Sequence, residues 1–575
     1  RNHSIDSGTA LCTPSAPHGR ASHCFWASAL GPSWAGSSGC AHIGVGLGLV
    51  THVAGVVSSL GRIGVYDHSL RENGSEPLCH GAYVVTTPNA DRSGARLTFL
   101  VAAAPLLAYG LVTVVFWIIP GIWIMVSSEE WLNPSAGGHL YSALAVSLLQ
   151  AGSTSVSSLG VMLLALAAPL VFLIPVWWIC RVPRQRRVVE VGSRCDHIVL
   201  ILVCAALTVF ALLAFWTSIE SLWNSQSDLG YAAQLNRRTA VSGMSSRVTF
   251  LLNGALPWCL VSAAAMIATR RFWWIAATIG IGAVLLLLAL ASGFKIPFFV
   301  GALGMAIAIA VTYPNRRLVH AGVLAVVLIA LAMMATGFGD ILEVLNWIAF
   351  RTGDSLAFIA AEAATDQPVG FDALRMLTGY STQASPHWNT VVFDAMFPLR
   401  LHAEAHGATS IPLVLGAWLD GGEVVGFGMA FILGFVLMMI GIASTLSGNA
   451  ASRASILAVG IVAGVWASQV QAHALLWQSY SILGLAFLAA SVVGGVWILN
   501  GGRPRLTGSK PQLAAASIAC VVLFGLVGLV VYARERSKLV TTTWPERPHP
   551  LAWLYGDGLQ PKMQALYGLA AIEYG

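Results

Sequence analysis

Long apolar runs separated by short polar connections dominate the chain from residue 97 onward. An α-helix needs about 20 apolar residues to cross a bilayer, and runs near that length recur. We count eleven: 97–126, 156–180, 197–217, 248–269, 272–292, 296–313, 318–336, 424–445, 454–472, 478–499 and 512–532. The pattern predicts an all-α polytopic membrane protein with about 11 transmembrane helices.

Composition points the same way. The 575 residues are 56% hydrophobic and only 10% charged, whereas a soluble domain is about 25% charged. A formal net charge of +6 is modest, and nucleic acid is not an expected partner. The nine cysteines form no CxxC pair, which argues against a zinc site or a disulfide framework.

Basic residues are distributed unequally between alternate connections. If the segment before residue 97 is cytoplasmic, fifteen Lys and Arg residues lie in inside connections and seven in the outside connections between spans, as the positive-inside rule requires. The same alternation places residues 337–423, a large loop between helices 7 and 8, on the periplasmic side. It also places the tail outside, although Arg534, Arg536 and Lys538 follow the last span directly.

The chain therefore divides into five predicted segments. They are an N-terminal extension of unknown structure on the cytoplasmic side (1–96), helices 1–7 (97–336), the long periplasmic loop (337–423), helices 8–11 (424–533) and a C-terminal periplasmic tail (534–575). The first 90 residues lack the basic start and compact apolar run of a signal peptide. No function is assigned to them.

The long loop carries most of the candidate chemistry. Residues 337–409 contain eight acidic residues and three arginines but no lysine. A planar guanidinium can bind phosphate or carboxylate oxygens with two parallel hydrogen bonds, whereas an ammonium is a point charge. Arg351, Arg375 and Arg400 are therefore candidates for holding a diphosphate, or they pair with acids of the loop. An apolar-periodic stretch after Asp354 predicts a helix that Asp354 caps.

Histidines and acids cluster later in the loop. His402, Glu404 and His406 could bind one metal ion only on extended backbone, because on a helix Glu404 points away from the two histidines. We therefore predict no metal and favour a general base, since a histidine titrates near neutral pH. Each histidine taken alone, His387 included, is also compatible with an ordinary loop residue.

The loop returns to the membrane through a proline and several glycines. Thr409-Ser-Ile-Pro412 is followed by Gly416-Ala-Trp-Leu-Asp-Gly-Gly422 and then by Glu423-Val-Val-Gly-Phe-Gly428. This spacing predicts a short re-entrant helix, a glycine turn and then a transmembrane helix.

The return segment resembles that of the bacterial O-antigen repeat-unit polymerases (Wzy type) and, more distantly, of the O-antigen ligases. Those families have many helices and a large periplasmic loop late in the chain, followed by a Thr/Ser-Pro and glycine-rich re-entry. The resemblance covers roughly residues 335–445, and Asp420 or Glu423 could match an acidic position of the family. The Arg-x10-Gly pattern of some polymerase loops is absent here, which leaves the catalytic arginine unassigned.

The resemblance implies an integral membrane glycosyltransferase of the bacterial inner membrane with its active site facing the periplasm. It would polymerise undecaprenyl-diphosphate-linked oligosaccharide repeat units into O-antigen, or a related lipopolysaccharide or surface glycan, without a cofactor. Besides this substrate and the bilayer, a chain-length regulator is a candidate partner. The implied site comprises catalytic His406, His402, Asp394 and Glu404, diphosphate-binding Arg351, Arg400 and Arg375, and second-tier His387, Asp420 and Glu423.

Two alternatives use the same lipid-linked glycan. An O-antigen ligase would transfer it to a lipid A core, but His406-Gly407 matches poorly the His-Asn-containing helix expected of a ligase. A transporter or flippase would move it across the membrane. The predicted spans have no acidic or basic residue in their middles and show no internal repeat, and both features weaken the transport hypothesis.

Overall fold

The computed structural model describes residues 90–126, 153–180, 194–224, 246–269, 271–312 and 410–499, together with Arg237, Val241, Met244, Ser355, Leu356 and Ile359. All of them belong to one compact unit, Ser75–Gly575. The predicted spans 318–336 and 512–532, the tail 534–575 and most of the extension and of the long loop lie outside the described residues.

The described part of the chain is helical and contains no strand. Its α-helices are α1 (Ala90–Thr113), α2 (Ile119–Val126), α3 (Ser153–Ala167), α4 (Leu173–Cys180), α5 (Arg194–Ala214), α6 (Trp216–Asn224), α7 (Ser246–Phe250), α8 (Leu256–Met266), α9 (Phe272–Ser292), α10 (Ile296–Thr312), α11 (Leu413–Leu446), α12 (Ala450–Ala467), α13 (Ala472–Trp477) and α14 (Ile482–Leu499). Two π-helical turns, Val114–Ile118 and Leu251–Ala255, join α1 to α2 and α7 to α8.

Eight helices in the described part are long and apolar enough to cross a membrane, and α10 is a shorter apolar helix. They coincide with nine of the eleven predicted runs, so the chain is a multi-pass helical membrane protein. Their outward surfaces expose large apolar side chains that only lipid can cover favourably, such as Leu164, Ile174, Trp178, Phe210, Leu213 and Ile279.

Tryptophan hydrogen bonds fix the relative direction of two central helices. The Trp258 indole N–H donates to the Ser455 carbonyl at 2.9 Å, and the Trp466 indole N–H donates to the Asn253 carbonyl at 2.8 Å. A later residue of α12 thus meets an earlier residue of the helix that contains α8, so the two run antiparallel. This agrees with the alternation that the basic residues predict.

Small residues bring the backbones of the core helices together. A Cβ atom at Gly441 of α11 would collide with the Ala102 carbonyl of α1, and one at Gly464 of α12 would lie 2.5 Å from the Pro105 carbonyl. Helices inside a membrane associate through such close approaches, because lipid gives them no hydrophobic drive. The buried core of the described bundle is therefore formed by α1, α8, α11 and α12.

We call the outer end of the bundle the end that contains Trp117, Asn253, Leu413 and Trp466. The two π-helical turns, the start of α11 and the end of α12 meet there. The distribution of basic residues predicts that this end lies outside the cytoplasm. Two described helices begin well before the predicted spans. The first helix begins at Ala90, and α11 begins at Leu413 rather than at residue 424, because residues 413–421 are mostly apolar helix formers.

Candidate functional site

Irregular helices converge on the outer end. π-Helical turns are rare and often mark functional sites, and each of the two turns here bonds to the region where α12 ends. The indole N–H of Trp117, in the first turn, donates to the Ser468 carbonyl at 2.8 Å. Asn253, in the second turn, accepts the Trp466 hydrogen bond. The end of α12 is thereby fixed from two sides.

The long helix α11 is broken at Gly422. Its backbone there has φ of 76° and ψ of −169°, a conformation that is essentially restricted to glycine. The predicted order of a short helix, a glycine break and a longer helix is confirmed. Asp420, just before the break, is buried with 9% of its surface exposed, whereas Glu423, just after it, is exposed.

Asp420 shares a helix face with Gly416, one turn earlier. A Cβ atom at Gly416 would lie 3.0 Å from Cγ of Gln471, which precedes α13. The first segment of α11 therefore packs directly against the connection between α12 and α13. His473, two residues beyond Gln471, is also buried. Gln471 of this connection and His473 in the first turn of α13 thus give the outer end two buried polar side chains.

Gln471 has an unusual environment. It is 8% exposed, and its Nε2 atom is buried without a hydrogen-bond partner in the described structure. Leaving such a donor unpaired typically costs about 1–3 kcal/mol. Gln471 and His473 were not among the predicted site residues, because they lie where one predicted apolar run ends and the next begins. The polar sequence Gln469-Val-Gln-Ala-His473 between two apolar runs was the available signal.

Aromatic rings pack around these polar groups. The Trp466 and Tyr480 rings lie 4.4 Å apart between centroids. Trp418 is buried, lies 5.9 Å from the Phe427 ring and fills the space where a side chain at Gly426 would be. Trp418 thus packs across the Gly422 break and holds the two segments of α11 together.

Three described residues of the long loop lie at the same end. Ser355, Leu356 and Ile359 are helical and buried, in the stretch where a helix after Asp354 is predicted. Leu356 Cδ1 would lie 3.3 Å from a Cβ atom at Gly121 of α2. These described residues of the loop and the start of α11 at Leu413 therefore lie at the same end of the bundle.

One cation of this end has a shifted pKa. Lys295 precedes α10, and its carbonyl accepts a hydrogen bond from the Phe299 N–H at 3.2 Å. The Phe299 ring contacts the Phe116 ring of the first π-helical turn, with centroids 5.5 Å apart. Partial burial lowers the pKa of Lys295 to about 8, because a low-dielectric environment disfavours the ammonium.

Only two of the predicted site residues fall in the described structure, Asp420 and Glu423, and the Gly422 break separates their environments. The others lie outside the described residues: Arg351, Arg375, His387, Asp394, Arg400, His402, Glu404 and His406. Within the described part, no group of three or more His, Cys, Asp or Glu side chains could hold a metal ion.

Comparison with known proteins finds no relative of this chain. No family model, no curated protein and no solved structure matches the chain. A functional hypothesis therefore depends on the residues themselves and on where the fold places them.

Proposed function

We propose that the chain is an integral membrane glycosyltransferase that polymerises undecaprenyl-diphosphate-linked oligosaccharide repeat units. The observation that supports this most is buried Asp420 before the break in α11, at the end of the bundle where α11 begins. The resemblance of residues 409–428 to the return segment of O-antigen polymerases supports the same function.

The proposed reaction needs two kinds of group. A base removes the proton from an acceptor hydroxyl as its oxygen bonds to the donor's anomeric carbon, and cations stabilise the diphosphate that leaves as the bond from that carbon to the diphosphate oxygen breaks. We assign the base role to Asp420 first, because it is buried beside a polar connection, while exposed Glu423 is not. His402 or His406, with Asp394 or Glu404, are proposed partners in proton transfer.

The loop arginines supply the cations in this proposal. Arg351 precedes the buried helical residues Ser355 and Leu356, and Leu356 packs near α2 at the outer end. Arg400 precedes α11 in the chain, and Arg375 lies between them. Guanidinium groups bind diphosphate oxygens without a metal ion, so the proposed reaction uses no cofactor. In this proposal the reaction takes place on the periplasmic face of the inner membrane.

The function can be tested by reconstitution. The purified full-length protein in nanodiscs receives a lipid-linked repeat unit without nucleotide sugar or added metal, and products are separated on a gel. A ladder of multiples that disappears in Arg351→Ala, Arg400→Ala or His406→Ala supports the polymerase. Transfer only after a lipid A core acceptor is added would identify a ligase instead. A well-folded sample that gives no product with either acceptor would contradict both.

A further inference from the structure

The first turn of α11 begins in a buried position without a cap. Leu413, Val414 and Leu415 are buried, and Pro412 at the N-cap provides no side-chain hydrogen bond. The first intrahelical bond runs from the Gly416 N–H to the Pro412 carbonyl at 2.9 Å. The three preceding N–H groups have no partner within the helix, as at any helix start. They make no hydrogen bond within the described part of the chain either.

A second donor without a partner lies against the same turn. The Gln471 side chain crosses Gly416, since its Cβ, Cγ and Cδ atoms all lie within 3.7 Å of where a Cβ atom at 416 would be. Its Nε2 atom is buried and unpaired. Gly416 allows this approach, because a larger residue would have to displace the Gln471 side chain. The Gln471 amide therefore lies beside the turn that begins α11, in which three backbone N–H groups have no partner within the helix.

Such a set of donors is complementary to an anion. Backbone N–H groups at a helix start point outward along the axis, and the helix dipole adds partial positive charge there. A neutral amide donor adds a hydrogen bond without requiring a counter-ion. The acid of this segment, Asp420, lies seven residues further on, about 10 Å along the helix axis, so its charge is separated from the first turn.

We infer that the first turn of α11 and Gln471 form a binding site for phosphate-type oxygens, and that a diphosphate ester occupies it. The site itself follows from the unpaired donors, whereas the diphosphate assignment rests on the proposed function. The short segment of α11 would then hold the leaving group at its start and the base near its end.

Direct binding measurements test the site. The full-length protein in nanodiscs of uncharged lipid is titrated calorimetrically with inorganic pyrophosphate, farnesyl diphosphate or inorganic phosphate. In a separate sample, nanodiscs that contain phosphatidylglycerol test whether this lipid competes with the diphosphate. We expect both diphosphates to bind, and more tightly than phosphate. Gln471→Leu should weaken diphosphate binding about tenfold or more, because hydrogen bonds to charged groups are the stronger ones.

The control is Gln478→Leu, since Gln478 is an exposed glutamine at the other end of α13. It should leave diphosphate affinity unchanged. Gln471→Leu should unfold at a temperature no lower than wild type, because it removes a buried unpaired donor. If Gln471→Leu does not fold, Gln471→Glu keeps the side-chain size and should weaken binding at least as much through charge repulsion.

Several results would overturn the inference. They are unchanged diphosphate affinity in the folded Gln471 variant, an equal loss of affinity in Gln478→Leu, or no binding of free pyrophosphate to the protein in uncharged lipid. Polymerisation is measured in a separate assay, so the polymerase function and the anion site can be refuted independently. A ladder with normal pyrophosphate binding in Gln471→Leu refutes the anion site alone. Loss of binding in Gln471→Leu without any wild-type product refutes the polymerase alone.

Discussion

Asp420 and Glu423 are three residues apart, yet they occupy different environments. The first is buried before the Gly422 break and the second is exposed after it. On an unbroken helix, residues three apart would share a face, so the break is the reason that they differ. From the sequence, the two residues were equal candidates for the same acidic site position. Only the backbone conformation at Gly422 distinguishes the buried residue from the exposed one.

Lys295 gives a pH-dependent prediction at the residue scale. Its pKa is lowered from 10.5 to about 8 in the folded protein, so the unfolded chain binds the proton more tightly. Stability should therefore rise as pH increases from about 8 to 10.5, and the penalty of the buried charge is fully present below about 8. Lys295→Met should remove this rise.

The measurement is the thermal unfolding midpoint of wild type and Lys295→Met between pH 7 and pH 10.5, compared as a difference so that other titrating groups cancel. The variant should be the more stable of the two at pH 7, and the difference should shrink towards alkaline pH. A difference that is constant across this range would show that Lys295 does not titrate with a lowered pKa.

At the scale of elements, α11 is the helix on which the proposed chemistry depends. Its first segment presents Asp420 and the first-turn donors, and its second segment packs into the core, where Gly441 meets the Ala102 carbonyl. The glycine break sets the angle between the two. Trp418 lies across it against Gly426 and Phe427.

Gly422→Ala should therefore be costly. A non-glycine residue at φ of 76° and ψ of −169° is strained by about 1–3 kcal/mol, and relaxation of that strain would move Asp420. We expect a lower unfolding midpoint and lower polymer yield. Gly428→Ala is the matched control, because Gly428 is helical and nothing lies within 4 Å of its Cβ position.

Alanine at position 428 should stabilise the helix or leave it unchanged, since alanine is favoured over glycine by about 0.5–1 kcal/mol in helices. Equal unfolding midpoints for the two variants would mean that the break at Gly422 is not required by the fold.

More of the helices than of the candidate site could be predicted from the sequence. Apolar runs located nine described helices, since membrane spans have a strong length signal. The short helix before the break was predicted, but the apolar run was counted only from residue 424, because Asp420 and three glycines lower the apolarity of residues 413–423. Gln471 was missed for a different reason. Gln471 stands with Gln469 and His473 where one predicted span ends and the next begins. These residues follow no helical period, and the importance of Gln471 appears only when the fold places Gly416 against it.

At the scale of the whole molecule, the outer end contains several irregular features of the described bundle. Both π-helical turns, the break in α11, Lys295 and the buried polar connection before α13 are there. At the opposite end, the Trp274 indole donates a hydrogen bond to His197 Nδ1 at 2.9 Å. The sequence predicted the alternation of the helices but not that these features share one end.

The predicted orientation can be checked by labelling. Cysteines introduced at Glu423 and Phe272 are both expected to be reactive, because both positions are exposed, but they lie at opposite ends of the bundle. A membrane-impermeant maleimide applied to whole spheroplasts should label Glu423→Cys above the parent chain and leave Phe272→Cys unlabelled. Inverted vesicles should show the reverse. The opposite pattern would place the outer end in the cytoplasm.

The most direct test of the account compares Asp420→Asn with Glu423→Gln in the reconstituted polymerisation reaction. Both changes replace a carboxylate by an amide of the same shape, one at a buried position and one at an exposed position. If Asp420 is the base, Asp420→Asn should lower the initial rate of chain growth by roughly 10²–10⁴-fold, and Glu423→Gln should retain nearly the wild-type rate. Wild-type activity in folded Asp420→Asn, or an equal loss in both variants, would contradict the role assigned to Asp420.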